Sequence, residues 1–286
     1  MAYMTHNEHE QQLTLVVGGT GKTGRRVMQK LAQRQIPTRL GSRSAQPAMD
    51  WDDRSTWAPA LDGVSAAYIT YYPDLCVPGA VDTVGDFATQ AARSGVRRLV
   101  FLSGRGEPEA QAAEKLVQEA SPEATIVRAS WFNQNFSEGE LLGAVAAGTI
   151  ALPVAGNVRE PFIDADDIAD VAVAALTDAR HAGEIYDVTG PRLLSFHEVA
   201  REMADAAGRP VDFQTISLAD YQAMLTEYEV PAEAVTLLTY LLTEVLGNND
   251  YLSDGVQRAL GREPRDFRDF ARNAAASGVW NAPVPA

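Results

Sequence analysis

Three glycines near the start of the chain have the spacing of a phosphate-binding loop. Gly18, Gly21 and Gly24 form the pattern Gly-x-x-Gly-x-x-Gly directly after an apolar, β-branched run. In such a loop the first glycine permits a sharp turn, the second lets the backbone approach a pyrophosphate, and the third lets the next helix pack closely. The start of that helix then presents free N–H groups to the phosphates. The spacing predicts a dinucleotide-binding loop made of Gly18, Gly19, Thr20, Gly21, Lys22, Thr23 and Gly24.

Ser42 and Arg43 indicate which dinucleotide the loop binds. They stand about 20 residues after Gly24, where NAD-binding proteins carry an acidic residue that holds the ribose 2′-hydroxyl group. No acidic residue stands here, and a guanidinium group suits a 2′-phosphate instead. We therefore predict that Ser42 and Arg43 select NADP(H). Two alternatives stay open: Arg43 is a solvated loop charge, and Lys22 points to water rather than to the phosphates.

A second group of candidate residues follows the ends of two predicted strands. In an open parallel sheet the carboxyl ends of the strands face the ligand crevice, and large aromatic rings with a few amides suit a pocket wall there. Tyr71 is expected on the nicotinamide side of this crevice. The expected substrate-binding residues are Tyr72, Trp131, Phe132, Asn133 and Phe136. Ordinary packing of the two tyrosines is an equal alternative, and Asn133 is also a candidate N-cap of a helix that runs to Ala147.

The elements that must position these residues alternate between strands and helices. Apolar runs near residues 13–17, 64–70, 96–102 and 124–128 predict buried strands, with helical periodicity between them. This order predicts an α/β fold, a Rossmann-type doubly wound parallel sheet with a smaller, mostly helical C-terminal substrate lobe. We expect a disordered tail over residues 1–12, an NADP-binding domain over 13–190 with a pocket-forming insert near 131–163, and the lobe over 191–286.

Composition excludes several other classes of function. The net charge is −14 and no basic cluster is longer than a pair, which argues against nucleic-acid binding. The chain has no apolar run of membrane-spanning length and no signal peptide, and its single cysteine fits a reducing compartment, so we expect a cytoplasmic protein without a membrane partner. The four histidines have no metal-binding spacing, so no metal site is expected. The oligomeric state stays open.

Longer motifs resemble the NmrA-like group of atypical short-chain dehydrogenases/reductases. The matching stretches occur in the family's order over roughly two-thirds of the chain, at residues 17–24, 41–43, 60–63, 95–103, 125–135 and 161–169. The stretches at 125–135 and 161–169 are more specific than the glycine loop, which many Rossmann proteins share. The resemblance implies an NADP(H)-preferring Rossmann domain with a small C-terminal substrate lobe. It also implies a family of quinone, ether and iminium reductases that includes redox sensors without demonstrated catalysis.

One residue of the usual catalytic set is missing. Ordinary short-chain dehydrogenases donate a proton from the tyrosine of a Tyr-x-x-x-Lys motif, beside an upstream serine. Ser103 ends the matching strand here, but Gln111 stands four residues before Lys115, and an amide is not an acid. Ser103 and Lys115 are therefore the candidate catalytic residues, and Ser103 is also expected to contact the cofactor. The alternative for Lys115 is an ordinary surface position on a helix.

The missing acid restricts the acceptors that the bound cofactor can reduce. An iminium ion needs no proton because hydride neutralises it, and a quinone yields a stabilised anion that water can protonate. We therefore expect an NADP-dependent oxidoreductase that uses NADPH to reduce a small cyclic or aromatic acceptor, iminium, enone or quinone-like, by direct hydride transfer. The alternative is a non-catalytic NADP(H)-sensing regulatory protein that binds a partner, followed by an isomerase or epimerase, since the fold does not determine the reaction.

Overall fold

The computed structural model describes residues 13–281, so the expected tail at 1–12 lies outside the described residues. The strands are β1 (Thr14–Val17), β2 (Thr38–Gly41), β3 (Ala66–Ile69), β4 (Arg98–Gly104), β5 (Thr125–Ala129), β6 (Thr149–Leu152), β7 (Arg159–Glu160), β8 (Ile185–Val188), β9 (Leu194–Ser195) and β10 (Asp212–Thr215). The helices are α1 (Lys22–Gln33), α2 (Trp57–Leu61), α3 (Ala80–Arg93), α4 (Pro108–Ala120), α5 (Asn135–Glu138), α6 (Leu142–Ala147), α7 (Ala165–Thr177), α8 (Phe196–Ala207), α9 (Leu218–Glu227), α10 (Ala232–Tyr240), α11 (Gly255–Leu260) and α12 (Phe267–Ser277).

Six strands form one parallel sheet in the order β2-β1-β3-β4-β5-β8. From β1 the chain first adds β2 on one side and then crosses to add β3 on the other. This reversal creates a crevice beyond the carboxyl ends of β1 and β3, where doubly wound sheets bind their ligands. The predicted Rossmann-type sheet is confirmed.

Both faces of the sheet are covered, which explains why its strands read as continuous apolar runs. Because side chains alternate along a strand, Leu15 and Val17 pack on one face with α3 and α4, while Val16 packs on the other with α1 and α7. Leu15 and Val16 are both fully buried. The two helical layers hold the sheet rigid, so the loops at the carboxyl ends of the strands have a fixed platform.

A second core lies beside the sheet and is rich in aromatic rings. Phe136, Phe162, Phe196 and Phe267 contact one another with centroid distances of 5.4–6.3 Å, and helices α8 and α12 pack around them. Val256 of α11 instead joins the core on the sheet. The C-terminal part of the chain therefore packs on both cores, and the expected domain boundaries stay a prediction.

The segment after β5 differs from the sequence-based expectation of one helix that runs to Ala147. It forms two short helices, α5 and α6, because Gly139 adopts an extended conformation between them. Asn133 does not cap either helix, since the residue before α5 is Gln134. None of the helices within residues 13–281 combines the length and the apolar character needed to cross a membrane.

Candidate functional site

The glycine loop connects β1 to α1, and close contacts explain two of its glycines. Gly18 has a φ of 70°, which a residue with a side chain rarely adopts. A Cβ atom on Gly18 would lie 2.2 Å from the hydroxyl oxygen of Thr70, which follows β3. A Cβ atom on Gly24 would lie 2.2 Å from the carbonyl oxygen of Gly18. The loop is therefore pressed against the ends of β1 and β3, at the point where the strand order reverses.

The first turn of α1 is open to an anion. Its N-cap residue Gly21 is exposed, no side chain of the described residues caps the helix, and the first turn carries no acidic residue. The first N–H groups of a helix have no intrahelical partners and carry a partial positive charge. Lys22 adds a partly buried ammonium group, 3.9 Å from Glu140. These residues fit the pyrophosphate of a dinucleotide.

Ser42 and Arg43 lie next to this loop because β2 pairs with β1. Gly41, the last residue of β2, is in register with Val17, the last residue of β1. Arg43 is exposed, and within residues 13–281 its guanidinium group has neither a hydrogen bond nor an ion pair. The cation thus stands free beside the loop, in the place where the sequence predicts a 2′-phosphate.

A pocket of about 340 Å³ opens from the glycine loop across the carboxyl ends of β3, β4 and β5. Its sheet side is formed by Lys22, Thr70, Tyr71, Leu102, Ser103, Gly104, Arg105, Ala129, Ser130, Trp131, Phe132 and Asn135. Its far side is an apolar wall from α10 and the π-helical turn after it, formed by Leu237, Leu238, Leu241, Val245 and Leu246. Both parts of the chain therefore build one pocket, with apolar walls and a few polar groups, as small-molecule sites require.

Five predicted site residues lie in this pocket. Lys22 lies at the end of the pocket beside the glycine loop. Tyr71 follows β3, Ser103 lies near the end of β4, and Trp131 and Phe132 follow β5. Trp131 also brings a polar group, since its indole N–H is buried and has no hydrogen-bond partner within residues 13–281. The structure therefore brings together the predicted cofactor end and part of the predicted substrate wall.

Four of the residues predicted to bind substrate or to be catalytic lie elsewhere in the described part of the chain. Tyr72 is 75% exposed, and Phe136 is fully buried in the aromatic core. Asn133 is fully buried, and its side-chain amide has no partner within residues 13–281. The side chain of Lys115 is 78% exposed, and its amine lies 4.0 Å from a carboxylate oxygen of Glu119, one turn along the surface of α4. The pocket wall includes none of these four within the region described.

Ser103 lies in the pocket, and its hydroxyl group is held from the α4 side. It donates a 2.5 Å hydrogen bond to Oε1 of Glu114, a buried carboxylate that also receives two hydrogen bonds from Arg128 on β5. The bonds to Glu114 are the main cause that raises the pKa of Arg128. These three residues tie the end of β4 to α4 and β5 and fix the position of the serine.

Two pocket carboxyl groups were not identified from the sequence. Burial, together with repulsion from Asp74 and Glu109, raises the pKa of Glu107 to about 8. Burial also raises the pKa of Glu160 to about 7, while the N–H groups of Trp131 and Gly247 and the charge of Arg105 oppose the shift. No spacing in the sequence marks either residue. The one available signal was an acidic residue directly before the apolar run of residues 161–163.

Arg105 is a further residue that the sequence did not single out. Its side chain is almost fully buried, and its Nε atom is 2.9 Å from Oδ1 of Asp187. Its two Nη atoms donate 2.9 Å hydrogen bonds to the carbonyl oxygens of Asn249 and Tyr251, and its guanidinium group stacks on the ring of Tyr251. Arg105 therefore fastens the segment after the apolar wall to the end of β4 and keeps the pocket closed on that side.

Comparisons with known proteins agree with the Rossmann-type fold. A model of the NmrA-like family matches residues 10–271. The chain is 32% identical to the NAD(P)H azoreductase of Xenophilus azovorans, over 93% of this chain and 100% of the relative. It is 30% identical to the uncharacterized oxidoreductase YesF of Bacillus subtilis, over 96% of this chain and 98% of the relative. The NADPH complex of the Escherichia coli quinone oxidoreductase QOR2 is similar in fold, with a TM-score of 0.76 at 19% identity over 92% of this chain and 99% of that one.

Proposed function

The chain belongs to the NmrA-like family, and we propose that it is an NADPH-dependent reductase that transfers hydride to a small cyclic or aromatic acceptor. The observation that carries this proposal is the pocket itself. It starts at the glycine loop with Lys22, crosses the carboxyl ends of three strands, and ends at an apolar wall. A ligand in this pocket lies beside the place where a dinucleotide binds.

The residues that hold the cofactor follow from the loop geometry. The free N–H groups at the start of α1 and the ammonium group of Lys22 bind the pyrophosphate. Arg43 binds the 2′-phosphate, which makes the chain NADP(H)-dependent, in keeping with the NAD(P)H azoreductase relative. When bound, NADPH supplies the hydride. Thr70, Tyr71 and Ser103 line the part of the pocket that the nicotinamide reaches.

The acceptor class follows from the shape and chemistry of the walls. Trp131, Phe132 and the leucines of α10 favour a flat, largely apolar ring. A ketone without conjugation is disfavoured, because the position of a Tyr-x-x-x-Lys tyrosine is occupied by Gln111, which is exposed. Iminium ions, enones and quinones remain as the expected acceptors. Hydride addition converts an iminium ion into a neutral amine, and it converts an enone or a quinone into a stabilised anion. The name of the azoreductase relative is consistent with a conjugated acceptor.

The proposal is tested by the oxidation of NADPH, followed by its absorbance, with naphthoquinone, a cyclic enone, N-methyl dihydroisoquinolinium and cyclohexanone. We expect turnover with at least one conjugated acceptor and little or none with cyclohexanone. Trp131→Ala should raise the KM of that acceptor roughly tenfold through lost ring contact. The matched control is Tyr228→Ala, which removes an aromatic ring that is 75% exposed on α9's C-terminal side. Tight NADPH binding without turnover of any acceptor would overturn the proposal and favour a nucleotide sensor.

A further inference from the structure

Glu160 presents an unusual carboxyl group to the pocket. It lies at the end of β7, is only 3% exposed, and lines the pocket. Its Oε1 atom accepts a 3.4 Å hydrogen bond from the backbone N–H of Trp131. Its Oε2 atom is buried and has no hydrogen bond of normal geometry within residues 13–281, although the backbone N–H of Gly247 lies near the carboxyl group. A buried polar atom without a partner is costly, so this oxygen is available to a polar group that enters the pocket.

The charges around Glu160 do not neutralise it. Arg105 is the cation that faces the carboxyl group, but its guanidinium group pairs with Asp187 and donates to two carbonyl oxygens of the C-terminal segment. Glu107 lines the same pocket and is a carboxyl group itself. Within the described part of the chain Glu160 therefore has no ion pair of its own, and burial favours its protonated form, so its pKa is raised to about 7.

We propose that Glu160 is the proton donor for neutral conjugated acceptors, passing the proton on Oε2 to the stabilised oxygen anion that hydride addition creates. This inference rests on the proposed reductase function. A quinone that receives one hydride from the dihydronicotinamide becomes a hydroquinone monoanion, and one proton from Glu160 completes the hydroquinone. The O–H bond of the carboxyl group breaks, the O–H bond of the product forms, and water reprotonates the carboxylate. An acid whose pKa lies near the working pH is suited to this role.

Glu107 is the other carboxyl group of the pocket lining with a raised pKa, and its surroundings suit the role less well. Its pKa is raised by burial and by repulsion from Asp74 and Glu109, so it belongs to a cluster of acidic groups at the start of α4. Glu160 instead lies directly beside the aromatic wall, bound to the backbone of Trp131. Substitution of each carboxyl group separately therefore distinguishes the two.

Two acceptors of similar size separate a proton donor from a binding group. Naphthoquinone is neutral and needs a proton after hydride addition, whereas N-methyl dihydroisoquinolinium is a permanent cation and needs none. In Glu160→Gln we expect kcat with naphthoquinone to fall at least about tenfold, less than the roughly hundredfold or more usual for a lost general acid, because the hydroquinone anion is stabilised. The same variant should keep kcat with the iminium ion within about twofold, since no proton transfer is lost.

The pH profile and a spectroscopic measurement provide readouts that a structural role would not change. With naphthoquinone, kcat of the wild type should decrease above a pH near 7, where the carboxyl group loses its proton, and Glu160→Gln should lack this limb. Glu107→Gln should retain it. The infrared spectrum of the unliganded protein should contain a protonated-carboxyl band that titrates in the same range and is missing in Glu160→Gln. Glu160→Asp, which keeps the acid, should retain the limb with a lower rate.

The outcomes are distinct for the two proposals. A wild type that oxidises NADPH with neither of these acceptors nor with the cyclic enone would overturn the reductase function, and with it this inference. A wild type that reduces both, with Glu160→Gln slowed equally for both, would overturn the proton-donor role alone. So would a rise in KM for the iminium ion only, because Glu160 would then bind positive charge. Loss of the limb in Glu107→Gln but not in Glu160→Gln would assign the proton to Glu107.

Discussion

The hydroxyl group of Ser103 lies 2.5 Å from Oε1 of Glu114, so the end of β4 is bonded to a carboxylate of α4. Glu114 directly precedes Lys115 in the sequence. Consecutive residues of an α-helix point about 100° apart, so when Glu114 faces the sheet, Lys115 faces solvent. The pocket therefore contains a serine of β4 that is held by a carboxylate of α4, and the lysine amine stays at the surface.

Replacement of this carboxylate should destabilise the fold. Glu114→Gln removes the charge that pairs with Arg128 and leaves that cation only partly solvated. We expect a loss of about 2–3 kcal/mol in the free energy of unfolding, somewhat below the usual cost for a fully buried pair, measured by urea denaturation. Glu119→Gln on the exposed face of the same helix should change stability by less than about 0.5 kcal/mol. Equal effects of the two substitutions would contradict the structural role of Glu114.

Local patterns in the sequence predicted the sheet and the cofactor end of the site. The strand, glycine loop and helix around Gly18 and Gly24 are contiguous, so spacing alone specifies them. The rest of the pocket depends on contacts between residues far apart in the chain. Glu160 is hydrogen-bonded to the backbone of Trp131, and Arg105 to the backbone of Asn249. The members of each pair are far apart in the chain, so no local sequence pattern predicts these contacts.

Aromatic residues after a strand illustrate the same limit. Trp131 and Phe136 occur in one short stretch and both suit a pocket wall by residue type. Trp131 lines the pocket, whereas Phe136 turns into the second core against Phe162 and Phe267. The direction of each side chain is set by the break of the helix at Gly139 and by the packing of α12, which composition does not reveal.

Two glycines of the loop should respond differently to the same substitution. Gly21 has an extended conformation that valine adopts readily, and a Cβ atom there approaches only the carbonyl oxygen of Gly18, at 3.2 Å. Gly21→Val should therefore keep the fold and abolish NADPH binding, because the side chain blocks the pyrophosphate. Gly24→Val should instead lower the melting temperature, since its Cβ atom overlaps the loop backbone. Thermal melts and NADPH fluorescence titrations measure both effects, and undiminished binding by Gly21→Val would contradict the loop assignment.

Arg43 should determine the preference for NADP(H) over NAD(H). Its guanidinium group makes no bond within residues 13–281, so Arg43→Ala costs the fold little. Loss of a charge-assisted contact to the 2′-phosphate should raise the Kd of NADPH about 10- to 100-fold and leave the Kd of NADH nearly unchanged. Arg34→Ala, at the C-terminal end of α1, is the matched control, and we expect it to keep the wild-type affinities for NADPH and NADH. An equal loss for both nucleotides in Arg43→Ala would exclude contact with the 2′-phosphate.

Glu160 should make the stability of the folded protein decrease as the pH rises. Its pKa is raised in the folded state, from the ordinary 4.5 to about 7, chiefly by burial. Between these two pKa values the unfolded chain has released the proton that the folded chain still holds. The free energy of unfolding therefore decreases through this pH range, and above it the full loss is present. Glu160→Gln should therefore gain stability relative to the wild type from acidic to alkaline pH, by up to about 3 kcal/mol.

Glu138→Gln should show the opposite trend and serves as the control for this measurement. Arg25 and Arg26 bind the Glu138 carboxylate and, against the effect of burial, hold its pKa below the ordinary value. That stabilisation is present above the pKa of Glu138 in the unfolded chain and is lost as the pH falls through its pKa in the folded protein. Glu138→Gln should therefore be less stable than the wild type at neutral pH and equally stable in acid. Urea denaturation of the three proteins over a pH series measures both slopes. Parallel curves for Glu160→Gln and the wild type would show that the Glu160 carboxyl group titrates as it does in the unfolded chain.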